Sequence, residues 1–224
     1  MVFSDLLCPL LLGGPCVFIF LGATMNNGLM SFDGLLAAVQ AGVIYDLTPE
    51  GVKAEIPFDH INAASIDVRL GADILVEEGT NWQCGRCVSL RDRDPLGMRK
   101  VFMDEQGYIL APGEFILAHT VELFNLPNNI ACEFKLKSSG ARIGLNNALA
   151  TWCDPGWNGS VLTLELQNIS RFHTIHLHPG DKIGQMLFYH VDEVPADRSY
   201  AARGRFNGDA SVQQTKANPL GGEQ

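Results

Sequence analysis

Between Val161 and Gln167 the chain reads Val-Leu-Thr-Leu-Glu-Leu-Gln, which from Leu162 onward alternates apolar and polar side chains without a break. A period of two belongs to an extended strand, whose successive side chains point to opposite faces, and not to a helix of about 3.6 residues per turn. Leu162, Leu164 and Leu166 therefore share a face that must be covered, while Thr163, Glu165 and Gln167 share the other. A strand of this kind commits the chain to a sheet packed on one side. Glu165 itself reads two ways. It is either a solvated acid on an exposed face, or a carboxylate partly desolvated by its leucine neighbours, with a pKa raised toward the range in which it takes up and returns a proton near neutral pH.

The segments around it carry the same signature. Strands are expected over Ser65 to Leu70, Ile74 to Glu77, Tyr108 to Leu110, Glu114 to Thr120, Ile130 to Leu136, around Glu165 and around Gln185, with Gly and Pro between them at intervals that suit a compact β-barrel better than a parallel sheet. Leu29, Phe32, Leu35, Leu36 and Val39 recur at helical spacing instead, with Ser31 as candidate N-cap and Gly42 as stop. The fold class expected is mainly β, a distorted barrel with one or two short helices. The 224 residues, 46% hydrophobic and 18% charged, suit one such domain.

Residues 1–24 differ in composition from the rest of the chain. Their apolar run lacks a positive flank, since no Lys or Arg precedes Lys53, and Pro9, Gly13, Gly14 and Pro15 interrupt any helix. They are read as a leader outside the fold, with a catalytic domain over 25–195 and a flexible tail over 196–224. No membrane association is expected, and a cytoplasmic location is.

Two groups near Glu165 carry candidate chemistry. Lys137-Ser138-Ser139-Gly140-Ala141-Arg142 brings two hydroxyls, two cations and, at a glycine turn, free N–H groups into six residues. That set suits anion binding, but taken alone it reads first as a serine opening a short helix with Arg142 on its surface. Asp154-Pro155-Gly156-Trp157 signals a tight turn followed by a buried aromatic anchor. A net charge of −9 argues against a nucleic-acid surface.

Metal chemistry finds little support. Cys84-Gly-Arg-Cys87 is a single pair without a second at zinc-site spacing, and is read as a surface loop. A zinc nucleobase deaminase needs His-x-Glu and Pro-Cys-x-x-Cys, and neither occurs. His176 and His178 alternate with Ile175 and Leu177, and with His173 they read as the polar side of a half-exposed strand rather than a ligand set. No Gly-x-Ser-x-Gly elbow is present.

Taken together the motifs resemble those of the dCTP deaminase family and of its relatives, the trimeric dUTPases. The resemblance runs from about Leu29 to about Asp209. It rests on Ala64-Ser-Ile-Asp67-Val-Arg-Leu-Gly71, Lys137-Ser-Ser-x-Ala-Arg142-x-Gly-Leu145, Asp154-Pro-Gly-Trp-x-Gly159, Thr163-Leu-Glu165 and Pro179-Gly-Asp-Lys-Ile-Gly-Gln185. It implies a dUTPase-like barrel, a homotrimer with sites between subunits, and hydrolysis of dCTP to dUTP and ammonia. It implies catalytic roles for Glu165, Arg142 and Ser138. Substrate contacts are implied for Lys137, Ser138, Ser139, Gly140, Ala141, Arg142, Asp154, Trp157, Thr163, Leu164, Glu165, Gln185, Tyr200, Arg205 and Asp209, with Phe206 beside them. Mg2+ is expected only through the triphosphate, and zinc not at all. The alternatives are dUTP diphosphate cleavage, alone or after deamination to give dUMP, and a non-catalytic nucleotide-binding regulator.

The chain also departs from the family pattern. Asn147-Ala-Leu-Ala-Thr151 replaces the usual pocket loop, and Asp209 stands where glutamine is usual, a carboxylate that repels phosphate. The interval from Leu145 to Asp154 is one residue short and that from Asp154 to Glu165 one long, so the total is kept.

Overall fold

The computed structural model describes residues 27–48, 50–78, 87–148 and 150–216. The segment read as a leader and Cys84 lie outside the described residues. In chain order the elements are β1 (Gly28–Leu29), α1 (Phe32–Gln40), β2 (Ile44–Leu47), β3 (Lys53–Ala54), β4 (Ile66–Arg69), β5 (Asp73–Glu77), β6 (Met98–Phe102), β7 (Tyr108–Leu110) and β8 (Phe115–Asn125). Then come β9 (Ile130–Leu136), α2 (Ser138–Arg142), β10 (Leu145–Asn147), β11 (Trp152–Cys153), β12 (Asn158–Asn168), β13 (Ile175–Leu177), β14 (Lys182–His190) and α3 (Tyr200–Arg203).

All strand pairs are antiparallel. One sheet runs β1–β14–β9–β11, with β4 also on β14; a second runs β10–β12–β8–β2–β3, with β5 on β8 and β6 on β5; and β13 pairs with β7 in a third. The mainly β barrel expected from the alternation is therefore the fold observed. Leu162, Leu164 and Leu166 of β12 are buried, and face a core that includes Phe124, Phe134 and Phe188. No described helix is long and apolar enough to cross a membrane.

The helix predicted after Ser31 is α1, with Leu35, Ala38 and Val39 buried. Ser31 caps it by its carbonyl, which accepts from Leu35 N at 2.9 Å, and not by its hydroxyl. The expected strand ending at Thr120 instead runs to Asn125 as β8. Glu122 obscured it, because a carboxylate inside Val-Glu-Leu-Phe breaks the apolar signal.

Glu122 has no exposed surface. Its carboxylate accepts from Arg69 Nε at 2.7 Å and from Arg69 N at 2.9 Å, and the same guanidinium bonds Asp46. This ties β4, β8 and β2 together. The backbone bends to allow it: from Val161↔Leu123 to Thr163↔His119, β12 advances two residues while β8 advances four. In that bulge Thr120 Oγ1 donates to Glu122 O and accepts from Leu162 N at 3.0 Å, replacing the lost ladder bond. A side chain at Gly71 would place its Cβ 2.2 Å from the His119 ring, so the chain leaving β4 approaches the bulge as only glycine allows.

Burial pushes the Glu122 pKa up, and Arg69 opposes the rise without cancelling it. A folded-state pKa above the unfolded one means that stability is whole below the unfolded value and is lost as pH rises through the folded value. Arg69→Met leaves the carboxylate buried and unpaired, which enlarges that loss. Denaturant unfolding should show Arg69→Met less stable than wild type by about 3 kcal/mol at about pH 8, with part of the deficit recovered at about pH 5. A deficit that does not change with pH would mean that Glu122 is not the group left uncompensated.

Candidate active site

The polar face of β12 opens onto a pocket of about 500 Å3. Its walls include Met98, Phe115, Leu117, Trp152, Trp157, Leu162, Thr163 and Glu165, and tail residues Tyr200, Phe206, Asp209 and Gln213 to Thr215 complete it. The alternation that buries Leu164 and Leu166 turns Glu165 toward this space. Glu165 is half-buried, its Oε2 has no hydrogen-bond partner, and desolvation pushes its pKa above the ordinary carboxylate value. Of the two readings of this acid, the structure favours the desolvated one. A carboxylate that is dehydrated yet faces a cavity is suited to exchanging a proton with something inside it.

The turn before β12 forms as its sequence suggests. Trp157 N donates to Asp154 O at 3.3 Å, and Gly156 takes the left-handed conformation, φ 86°. Trp157 stacks on Phe124 with ring centroids 5.2 Å apart, and its Nε1 donates to Phe206 O at 2.8 Å. The anchor is thus buried against the core on one side and tied to the tail on the other. Asp154 does not line the pocket, and accepts from Trp152 Nε1 at 2.8 Å. Leu164 is core.

Beyond β14 the chain folds back over the pocket. Tyr200 N donates to Pro155 O, Ser160 Oγ to Phe206 O, Val161 N to Asp209 O, and Gln213 N to Thr163 Oγ1, at 2.8 to 3.2 Å. Val212 is buried between Leu75 and Leu117. Tyr200 and Asp209 therefore join Thr163 and Glu165 in one place, while Arg205 does not line it.

The other predicted residues gather elsewhere. Ser138, Ser139 and Arg142 lie exposed on α2, and neither they, Lys137, Gly140, Ala141 nor Gln185 line the pocket. Gly140 lies inside this helix rather than in the expected glycine turn; the left-handed glycine is Gly144, φ 90°, which closes the helix. Three distant motifs converge beside α2 on β14. Lys137 Nζ donates to Asp67 Oδ2 at 2.9 Å, Asn62 Nδ2 to Asp67 Oδ1 at 3.0 Å, and Ser65 Oγ to Gln185 Oε1 at 3.2 Å, with Lys182 Nζ 3.6 Å from Asp67. Burial works against the charge of Asp67, but the bonds from Lys137 and Asn62 and both lysine charges outweigh it and hold the pKa below the ordinary value.

Asn147 and Ala148 of the replaced segment lie along β12. Asn147 pairs with Leu166, Ala148 N donates to Glu165 O at 2.9 Å, and Asn147 Oδ1 is buried without a partner. Across β9 and β11, Cys132 faces Cys153 in register; burial, then the neighbouring thiol, pushes the Cys132 pKa up, and Cys153 reaches the pocket wall. Cys87 is exposed. His176 of β13 and His178 just beyond its end lie together as their alternation implies, with rings 4.0 Å apart and His176 Nε2 2.7 Å from Gln106 O. Sequence reasoning missed Met98, Phe115, Leu117, Gln213 and Gln214. Only the alternation of Phe115 and Leu117 on β8, in register with Gln167 and Glu165, was there to reveal any of them.

A family model described as dCTP deaminase-like matches residues 41–191. The chain is 37% identical over 149 residues to a protein of Mycobacterium tuberculosis named "dCTP deaminase, dUMP-forming", covering 65% of this chain and 76% of that one. It is 33% identical over 185 residues to a Beutenbergia cavernae protein of the same name, covering 77% and 91%. Among solved structures it resembles 2'-deoxycytidine 5'-triphosphate deaminase from Agrobacterium tumefaciens, with a TM-score of 0.55 and 21% identity. That likeness covers 73% of this chain and 48% of the other, and speaks to the fold alone.

The unpartnered Glu165 has a measurable cost. With its folded-state pKa raised, the stability linked to it is whole below the unfolded pKa and is lost as pH rises through the folded one. Glu165→Gln removes that loss. Denaturant unfolding should find variant and wild type equally stable near about pH 4 and the variant more stable by about 1 kcal/mol at about pH 8. Equal stability at both values would show the carboxylate to be solvated.

Proposed function

The chain belongs to the dCTP deaminase-like family, and from this we propose that it hydrolyses dCTP, replacing the C4 amine of the cytosine by oxygen and releasing ammonia. The observation that carries the proposal is Glu165, desolvated, unpartnered at Oε2 and facing the pocket. In this reading a water loses a proton to the carboxylate as its oxygen adds to C4. The carboxylic acid then gives that proton to the amine, which leaves as ammonia with the C4–N bond electrons, while the remaining water proton passes from the C4 hydroxyl to N3 and the C4 carbonyl forms. The chemistry needs no metal-activated water, and dCTP enters as its Mg2+ complex. Backbone from Thr163 to Glu165 reads the base edge, Trp157 backs the sugar side, and Tyr200 belongs to the covering tail.

Lys137, Ser138, Ser139, Arg142 and Gln185 hold phosphates in this reading, with Arg142 and Ser138 also placing the water. Because none of them lines the pocket that holds Glu165, we propose that one site draws on two chains, in a homotrimer, so that a phosphate clamp meets a base-reading strand. A second reading rests on the relatives named dUMP-forming: the dUTP formed is cleaved to dUMP and diphosphate before release, with Asp154 holding the attacking water.

Product analysis of purified protein with dCTP decides between these. Ammonia with dUTP means deamination alone, ammonia with dUMP means both steps, and binding without turnover means a regulator. Glu165→Gln, equal in shape but unable to take up a proton, should lower ammonia release at least about 100-fold while dCTP still binds. A near-wild-type rate would remove Glu165 from the mechanism.

The shared site has its own test. Arg142→Ala and Glu165→Gln, each nearly inactive, should regain part of the wild-type rate when unfolded together and reassembled, because some mixed interfaces pair an intact Arg142 with an intact Glu165. Verified mixed oligomers as inactive as either parent would place both residues in one chain.

A further inference from the structure

The charged residues lining the pocket are Asp94, Glu165 and Asp209, and no Lys, Arg or His lines it among the described residues. Three acids around a cavity of this size make a poor host for an anionic ligand, since like charges within a few ångströms repel even when partly screened. Asp209 comes from the tail and is tied to β12 by its backbone: its carbonyl accepts from Val161 N at 2.9 Å and its N–H donates to Ser160 Oγ at 3.2 Å.

One cation answers it. Lys216 Nζ donates to Asp209 Oδ2 at 2.7 Å and Oδ1 at 3.0 Å, and to Arg205 O at 2.8 Å. The same ammonium lies 4.9 Å from the centroid of the Phe206 ring. All three ammonium donors are thus used within the segment that covers the pocket. The Asp209 side chain is 17% exposed and that of Lys216 38%, so the pair is shielded enough to matter and open enough for its charge to be felt at the rim.

We propose that Lys216 is a positioning residue for the nucleotide: it neutralises Asp209 and latches residues 205–209 over the pocket, which lets an anionic substrate enter a site whose charged lining residues, among those described, are all acids. This rests on the nucleotide reading of the site. It makes Asp209 and Lys216 one unit, a carboxylate tolerated because its own tail carries the countercharge. The repulsion that a carboxylate at 209 implies is met by a residue seven positions later in the chain.

Steady-state kinetics with dCTP at low and high salt test this on wild type, Lys216→Met, Lys216→Arg, Asp209→Asn and the double variant Asp209→Asn with Lys216→Met. Lys216→Met should raise KM about tenfold, with the effect on KM rather than kcat and smaller at high salt. Lys216→Arg should restore most of it. In the Asp209→Asn background the same Lys216→Met change should move KM less than about threefold, because no charge remains to be neutralised. An equal rise in both backgrounds would overturn the proposal and leave Lys216 a mere strap, as would no rise in either. Unfolding midpoints matched to wild type exclude misfolding, and a Lys216→Met variant that fails to fold is replaced by Lys216→Gln. If wild type binds dCTP without turning it over, the enzymatic reading fails, and the same pattern in calorimetric Kd values still decides the role of Lys216. If wild type does not bind dCTP, both readings fall.

Discussion

A carboxylate with no exposed surface sits in the interior of this barrel, and the architecture around the pocket is arranged to hold it. A charge on Glu122 is costly in this place, and Arg69 offsets that cost from β4 with both its side chain and its backbone N–H. β8 brings Glu122 inward by bulging two residues away from β12. The gap is closed by Thr120, whose hydroxyl stands in for a ladder carbonyl at Leu162. Asp46 on β2 satisfies the rest of the guanidinium. The course of β12 beyond Leu162, and with it the direction of Glu165, depends on this one ion pair.

Charge is sorted across the fold. Lys137 and Lys182, the latter at the start of β14, collect at Asp67, which pins both in place. The pocket wall is acidic and apolar. In the proposed function these two regions are the two halves of one site, brought together only by a second copy of the chain. A protein of net charge −9 handles an anionic substrate by concentrating a few cations rather than by its general field.

The alternation of β12, the core face of α1 and the Asp154 to Trp157 turn were legible because each depends on side chains only a few residues apart. The full length of β8 was not, since Glu122 makes sense only with Arg69, 53 residues away. The motifs around Asp67, Lys137 and Gln185 could be named from the chain, but their convergence on β14 depends on strand order, which no local pattern encodes. The desolvation of Glu165 was open for the same reason: its degree depends on Phe115, Leu117 and the folded-back tail, not on its own leucine neighbours. Gly140 was misjudged because glycine marks a turn by habit, whereas here Gly144 does that work.

The irregularity at Gly159 bears on how such a chain can vary. Between Asn158↔Asn125 and Ser160↔Phe124, β12 carries one residue more than its partner, and Gly159 absorbs it with φ 65°. An insertion or deletion farther along β12 would turn Glu165 into the leucine core and the leucines outward. At Gly159 the parity of the strand is reset before the acid is reached. A change of length is therefore tolerable at this kink, while the stretch from Thr163 to Asn168 has to keep its count.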